Sequence, residues 1–111
     1  MFKNLLYRIS SAFQNKIFLK PKQLYCTTYF GHNSPIKNWN FIIQADSEVS
    51  VYILDNKNLN LFMNTQDYVS IYENRNQKDH FIGLDNMDYC HLVVVNFSEN
   101  STSFKKKFKF F

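Results

Sequence analysis

The sequence predicts an all-β fold, an antiparallel jelly-roll-like β-sandwich with an amphipathic helix at its N-terminus. Three observations favour the sandwich: short segments alternate between apolar and polar residues, polar turns separate them, and the composition suits strands. The 111 residues include twelve Phe, seven Tyr and one Trp but only two Gly. Aromatic rings pack well on a pleated, half-buried surface. Several short strands with turn signals between them are typical of a sandwich.

The first predicted element is a helix over residues 2–17. Apolar side chains recur there at spacings of three and four, and polar or basic side chains fill the opposite side. Pro21 blocks continuation of this helix, so we expect a leader helix within residues 1–21 and a β-sandwich domain over residues 22–111. The apolar stripe predicted to dock the helix on a partner consists of Phe2, Leu5, Leu6, Ile9 and Phe13.

The next elements are predicted from a change to a period of two. Residues 24–30 alternate and form the first predicted strand. Residues 38–44 and 49–54 alternate in the same way, and the polar pair Asp46-Ser47 separates them. Because these two strands are so close in sequence, we expect them to form a hairpin.

A short helix is predicted over residues 56–64, because Asp55 stands where a helix cap would and apolar residues follow at helical spacing. Residues 68–72 are expected to form a strand, residues 73–79 a polar loop and residues 81–84 a short strand.

The last two predicted strands are residues 89–97 and 104–110. The first contains a continuous apolar run, which indicates burial on both faces and a central position. In the second, phenylalanines and lysines alternate, as expected for an edge strand with its rings inward and its lysines outward.

Two segments resemble a known group of β-sandwich modules. Residues 38–62 contain Val-Ser-Val-Tyr-Ile-Leu and Asn-Leu-Asn-Leu-Phe, and residues 89–96 read Tyr-Cys-His-Leu-Val-Val-Val-Asn. This pattern is similar to prokaryotic pre-peptidase C-terminal domains and eukaryotic GOLD-type domains. The resemblance extends over residues 22–111 and implies a non-catalytic jelly-roll-like sandwich for adhesion, cargo binding or partner binding. It brings no catalytic residue to this chain.

Charge is distributed unevenly along the chain. Residues 1–45 contain no Asp or Glu, all nine acidic residues lie between Asp46 and Glu99, and the formal net charge is +4. A basic leader, an acidic body and a basic tail predict separate roles for the three segments. The tail lysines are the predicted basic contacts with a partner, namely Lys105, Lys106, Lys107 and Lys109.

The sequence predicts neither a metal site nor a catalytic site. The side chains His32, His80, His91, Cys26 and Cys90 lack the spacing of a zinc site. No nucleophile elbow or glycine-rich phosphate loop occurs. We therefore expect no enzymatic activity, no cofactor and no small-molecule substrate. Both cysteines are expected to be buried free thiols.

These observations predict a non-catalytic accessory or structural protein that binds protein partners as a subunit of a larger assembly, either mitochondrial or membrane-associated. The leader is typical of a mitochondrial targeting segment, a helix on a membrane surface or a helix in a partner's groove. A leader packed on its own sandwich is the alternative, as is a cytoplasmic location.

Two other function classes remain open. One is a free-standing module that binds carbohydrate or peptide through an aromatic pocket, with residues such as Trp39, Tyr52 or Tyr72. The other is a ribosomal accessory protein that contacts RNA through both basic ends. The acidic body and the presence of only two Arg argue against a nucleic-acid partner.

Overall fold

The computed structural model describes residues 8–9, 16–30 and 36–110. These residues form seven strands and one helix. In chain order the elements are β1 (Arg8–Ile9), β2 (Lys16–Leu19), β3 (Leu24–Phe30), β4 (Ile36–Leu54), α1 (Asn56–Met63), β5 (Tyr72–Met87), β6 (Tyr89–Val95) and β7 (Thr102–Phe110). The chain is mostly β-structure, as the composition predicts.

The strands form one curled sheet in the order β1-β3-β6-β4-β7-β2, and β5 lies beside β4. All pairs are antiparallel except the short pairing of β1 with β3. On one edge, β4 pairs with β7 over residues 39–45 and with β6 over residues 50–54. The first half of β4 is therefore next to β7, and its second half is next to β6.

The predicted hairpin between residues 38–44 and 49–54 is wrong, because both segments belong to β4. The register of β4 against β5 shifts between Gln44 and Val49 and again between Val49 and Val51. Such irregularities bend a strand without ending it. The polar pair Asp46-Ser47 thus marks a bend, and neither glycine nor proline is present there to reverse the chain.

The concave side of the curled sheet encloses the main core. Odd-numbered residues of β4 point into it from both halves of the strand, and β6 contributes Cys90, Leu92 and Val94. Trp39, Phe41 and Phe108 pack together here with ring centroids 4.7–6.2 Å apart. Aromatic contacts at such distances add to the free energy of simple area burial.

A second core lies on the convex side, where α1 covers β3, β6 and the second half of β4. Leu59 and Phe62 of the helix pack there against Tyr52, Leu54 and Val93. The carboxylate Oδ1 of Asp55 accepts a hydrogen bond from the backbone N–H of Asn58 at 2.8 Å, as a helix N-cap does. The short helix and its cap are therefore confirmed.

The strand at residues 89–95 is central, as the sequence predicts. β6 lies between β3 and β4, and its residues 90–95 are buried on both faces. Cys26 and Cys90 are buried thiols outside any disulfide, one in each core. Burial raises the pKa of the Cys90 thiol to about 12, so this group is a neutral core side chain at physiological pH.

Two local predictions are wrong in the middle of the chain. Residues 73–79 form part of β5 and are not a loop, because the edge of β4 supplies backbone hydrogen-bond partners whatever the side chains are. Residues 68–70 lie outside any strand, and the Val69 side chain is 74% exposed.

The predicted helix over residues 2–17 is not supported. Arg8 and Ile9 form β1, and Lys16 and Ile17 belong to β2, which pairs with β7. Ile17 is buried in the main core, so tertiary packing overrides the helical period there. The other residues of the predicted helix, and Phe2, Leu5, Leu6 and Phe13 of the docking stripe, lie outside the described residues.

Within the described residues, no helix is long and apolar enough to cross a membrane.

The helix cap makes a direct prediction about stability. Replacing Asp55 with Ala removes the acceptor for Asn58 N–H, and we expect the free energy of unfolding to fall by about 1 kcal/mol in urea titrations followed by circular dichroism. Asp67→Ala is the control, because this exposed carboxylate has no hydrogen bond among the described residues, and its effect should stay within about 0.5 kcal/mol. Equal losses in both variants would contradict the cap.

Candidate functional site

One side of the curled sheet is left uncovered by the described elements, and we call it the open face. It is the convex side of β2, β7, the first half of β4 and the second half of β5. The even-numbered side chains of β4 point outward along the whole strand, but α1 covers only those of its second half. Asn38 and Gln44 of the first half are exposed. Four strands at the usual spacing make this face about 15 Å wide.

The strand register places charged residues in a row across the open face. Lys16 of β2 lies opposite Lys105 of β7, Lys105 opposite Gln44 of β4, and Gln44 opposite Asp79 of β5. One side of the face therefore carries positive charge, and the other side carries Asp79 and Asp85.

A second row brings a lysine next to apolar side chains. Lys107 of β7 lies opposite Ile42 of β4, which lies opposite Phe81 of β5. Phe81 is 69% exposed. Gly83, two residues farther along β5, has no side chain that could cover the Phe81 ring. A singly exposed apolar side chain is ordinary, so it is the combination of aromatic Phe81 with Ile42 and Lys107 that resembles the composition of protein interfaces.

The positive charge on this face is only partly neutralised. Lys16 forms an ion pair with Asp46 at 3.8 Å, while Lys105 and Lys107 form none with the described residues. The hydrogen bond from Ser103, followed by the charge of Lys16, lowers the pKa of Asp46 below its usual value. Asp46 is therefore ionised at physiological pH and is engaged with Lys16 and Ser103.

A shallow depression of about 200 Å³ lies at the first row, between Lys16, Gln44, Asp46 and Lys105. Like charges directly opposite each other on neighbouring strands destabilise a sheet. Lys16 and Lys105 occupy such a pair. Asp46 at the edge of the depression offsets part of this repulsion, because the charges of Lys16 and Lys105 both act on its carboxylate.

Of the four lysines predicted as basic contacts, Lys105 and Lys107 are exposed on the open face. Lys109 pairs with Asn40 through the backbone, and its side chain lies outside the described part of the chain. The predicted edge position holds for only part of β7. One side of this strand pairs with β4 along residues 104–110, and the other side pairs with β2 along residues 102–105 only, so the edge beyond residue 105 has no partner strand among the described residues.

Lys106 points the other way, toward the core. Its Nζ donates hydrogen bonds to the hydroxyl of Tyr25 and, at 3.0 Å, to that of Tyr29. The same nitrogen lies 4.9 Å from the ring centroid of Tyr25 and 5.4 Å from that of Tyr29. Lys106 thus ties β7 to β3 across the core through hydrogen bonds and cation–π contacts.

Burial lowers the pKa of Lys106 and raises that of Tyr29 above its usual value. The amine and the hydroxyl therefore lie in surroundings that disfavour a net charge.

The residues named for an aromatic sugar- or peptide-binding pocket do not form one. Trp39 and Tyr52 are buried in different cores, and Tyr72 packs against the main core. The two histidines among the described residues serve the fold: His91 shares a hydrogen bond of 2.7 Å with Thr28, and His80 is buried; His32 lies outside the described residues. No group of three metal-ligating side chains occurs within the described residues.

Sequence reasoning missed Ile42, Phe81 and Asp79 as surface residues of one site. Phe81 and Asp79 lie within two residues of each other, but the register of β5 against β4 is what places them beside the lysines of β7. The available signal was that Phe81 directly precedes Ile82, since neighbouring residues of a strand point to opposite faces and one of the two must then lie outside the core.

The burial of Lys106 predicts a pH effect on stability. Between the lowered native pKa and the ordinary value of 10.5, the unfolded chain binds more protons than the native chain, so native stability rises with pH. As the pH rises through this interval toward 10.5, we expect the unfolding free energy of the wild type to increase relative to that of Lys106→Met. Chemical denaturation at each pH measures this difference.

The matched control is Lys107→Met, because Lys107 is exposed on the same strand. Its difference from the wild type should not change over the same range. Parallel pH profiles for the two variants would show that Lys106 is not held in the desolvated position.

Comparison with known proteins shows the fold alone. No family model and no curated protein matches this sequence. Similar solved structures include the Yersinia pseudotuberculosis-derived mitogen, with a TM-score of 0.60 and 10% identity over 85% of this chain and 80% of the mitogen. A periplasmic inhibitor of g-type lysozyme from Aeromonas hydrophila has a TM-score of 0.53 and 8% identity over 92% and 96% of the two chains. A de novo designed double-stranded β-helix has a TM-score of 0.51 and 11% identity over 85% and 95%. The chain thus shares a curled β-architecture with proteins of unrelated sequence.

Proposed function

We propose that this chain is a non-catalytic protein-binding module, and that its open face binds an acidic patch on a partner protein. The observation that carries the proposal is the position of Lys105 and Lys107, exposed and without ion pairs among the described residues, beside exposed Phe81. Charged groups around an exposed aromatic side chain favour specific docking, because the ring supplies buried area while the charges set orientation and association rate.

A protein partner fits this face better than RNA or a lipid surface. Both of those present uniform negative charge, and Asp79 and Asp85 would repel it. A protein surface can place carboxylates against the lysines and basic or polar groups against the aspartates. The mixed charge of the face therefore favours a protein.

The structural neighbours are consistent with this proposal. The Aeromonas hydrophila protein is an inhibitor of a lysozyme, so a chain of similar architecture acts on another protein. We take the curled sheet to be a jelly-roll-like sandwich, whose convex outer face is available to a partner.

The wider setting is part of the same proposal. We expect the module to be a subunit of a larger assembly, in mitochondria or at a membrane, with the stripe of Phe2, Leu5, Leu6, Ile9 and Phe13 as a second contact. The basic composition of the leader supports this expectation.

Site-specific cross-linking tests the open face. Phe81 is replaced with benzoylphenylalanine in the full chain, which is then irradiated in an extract of the source cells. We expect a cross-linked protein that excess unmodified chain displaces and that excess Lys105→Glu/Lys107→Glu chain does not. With the purified partner, the double variant should bind at least about tenfold more weakly, with the largest loss at low salt.

The matched control carries the same photoreactive group at Val69, which is 74% exposed but lies beyond α1, away from the open face. Equal cross-linking from Val69, or equal displacement by the wild type and the double variant, would contradict the proposal. Saturable binding to polyuridylate or to phosphatidylserine vesicles through the same lysines would contradict a protein partner and would indicate a polyanionic one.

A further inference from the structure

A cleft of about 540 Å³, lined mainly by polar residues, lies at the bend of β4, close to the Asp46 and Asp79 end of the open face, because Ser47 and Lys78 of its lining are their chain neighbours. Three segments meet around it: the bend of β4 at Ser47 and Glu48, the irregular part of β5 at Asn76 and Lys78, and the turn between β6 and β7. Its volume is within the usual range for small-ligand sites.

Two buried polar side chains hold the walls of the cleft in place. His80 is 1% exposed, and its Nε2 lies 3.0 Å from both the Val49 and the Gln77 carbonyl oxygens, so it ties the bend of β4 to that of β5. Asn96 is fully buried, and its Nδ2 donates to the Asn100 carbonyl at 2.8 Å while its Oδ1 accepts from the Ser98 N–H at 3.1 Å. Fully satisfied buried polar groups of this kind rigidify the loops that they join.

The side chains at the rim of the cleft, in contrast, are exposed and have no partner. Those of Glu48, Asn76, Lys78, Asn100 and Ser101 make no hydrogen bond or ion pair within the described residues. Asn76 has a φ of 55°, a left-handed conformation that Asn adopts more readily than other non-glycine residues and that interrupts the regular pairing of β5 here. A rigid scaffold that presents free polar groups is the usual construction of a binding site.

The chemistry of the lining restricts the class of ligand. Among the described residues that line the cleft, Phe97 alone is aromatic, and part of its half-buried ring packs against the second core, so a largely apolar ligand would be poorly covered. One carboxylate and one ammonium group, Glu48 and Lys78, leave the lining without net charge, and the carboxylate disfavours a phosphate. Amide side chains such as Asn76 and Asn100 offer both donors and acceptors, as required by a group that both donates and accepts.

From this geometry we propose that the cleft binds a neutral sugar, with a C–H face of the pyranose ring on Phe97 and its hydroxyl groups on Asn76, Asn100 and Glu48. Hydroxyl groups match the mixed donors and acceptors of the lining, and the ring has one apolar face for one aromatic wall. The cleft shares no lining residue with the depression on the open face, so either proposal can fail without the other.

The test is a titration of the full ¹⁵N-labelled chain with N-acetylglucosamine, maltose and cellobiose, followed by NMR. We expect at least one of these probes to shift the amide signals of Asn76, Phe97 and Asn100 with a Kd of roughly 1 mM. The variants Asn76→Gly and Asn100→Ala should each weaken that binding at least about fivefold. Glycine accommodates the positive φ at position 76, so this change removes the amide without backbone strain.

The matched control is Asn60→Ala on the exposed side of α1, which should leave the Kd unchanged. The absence of shifts with all three sugars up to about 50 mM, which is far above the expected Kd, would overturn the proposal. Shifts confined to residues away from the cleft, or saturation of the cleft by inorganic phosphate in place of the sugars, would overturn it as well. Spectra of the variants outside the cleft should superimpose on the wild-type spectrum, which separates loss of binding from loss of fold.

Discussion

The continuity of β4 is the constraint on which the rest of the structure depends. Along one edge, β4 pairs with β5 over nearly its whole length. Along the other edge, its first half pairs with β7 and its second half with β6. Because every backbone N–H and C=O in the interior must be paired, the positions of three strands follow from the path of one. Its bend near residues 45–49 turns the sheet around the main core, so that alternate side chains of both halves reach the same apolar cluster.

The same bend separates three surfaces with different properties. Beyond it, the outward side chains Tyr52 and Leu54 are apolar and are buried under α1. Before it, Asn40, Ile42 and Gln44 point outward with no described element over them. At the bend itself, regular pairing is interrupted, and buried His80 satisfies the Val49 carbonyl next to a polar cleft. Irregular positions in a sheet often provide polar groups for function, since their backbone is not fully used by the ladder.

The lysines of β7 show how position within a strand decides the role of a charge. Lys105 and Lys107 are exposed and add positive charge to the surface, where solvent and salt screen it. Lys106, between them, is half-buried under Tyr25 and Tyr29 and contributes to the cohesion of β3 and β7. Three consecutive lysines therefore lie in two different environments, because successive side chains of a strand point to opposite faces of the sheet.

The sequence by itself determined the strand-rich composition, the capped helix after Asp55, the buried strand at residues 89–95 and the alternation in the tail, because these features depend on local periodicity and local hydrogen bonds. Only the tertiary structure decided that residues 73–79 form a strand, that Asp46-Ser47 is a bend, and that Ile17 lies in a strand of the core. It also brought Phe81 next to Lys107 through Ile42. The physical reason is that backbone pairing between strands distant in sequence is set by register, and register depends on how the whole sheet closes around its apolar residues.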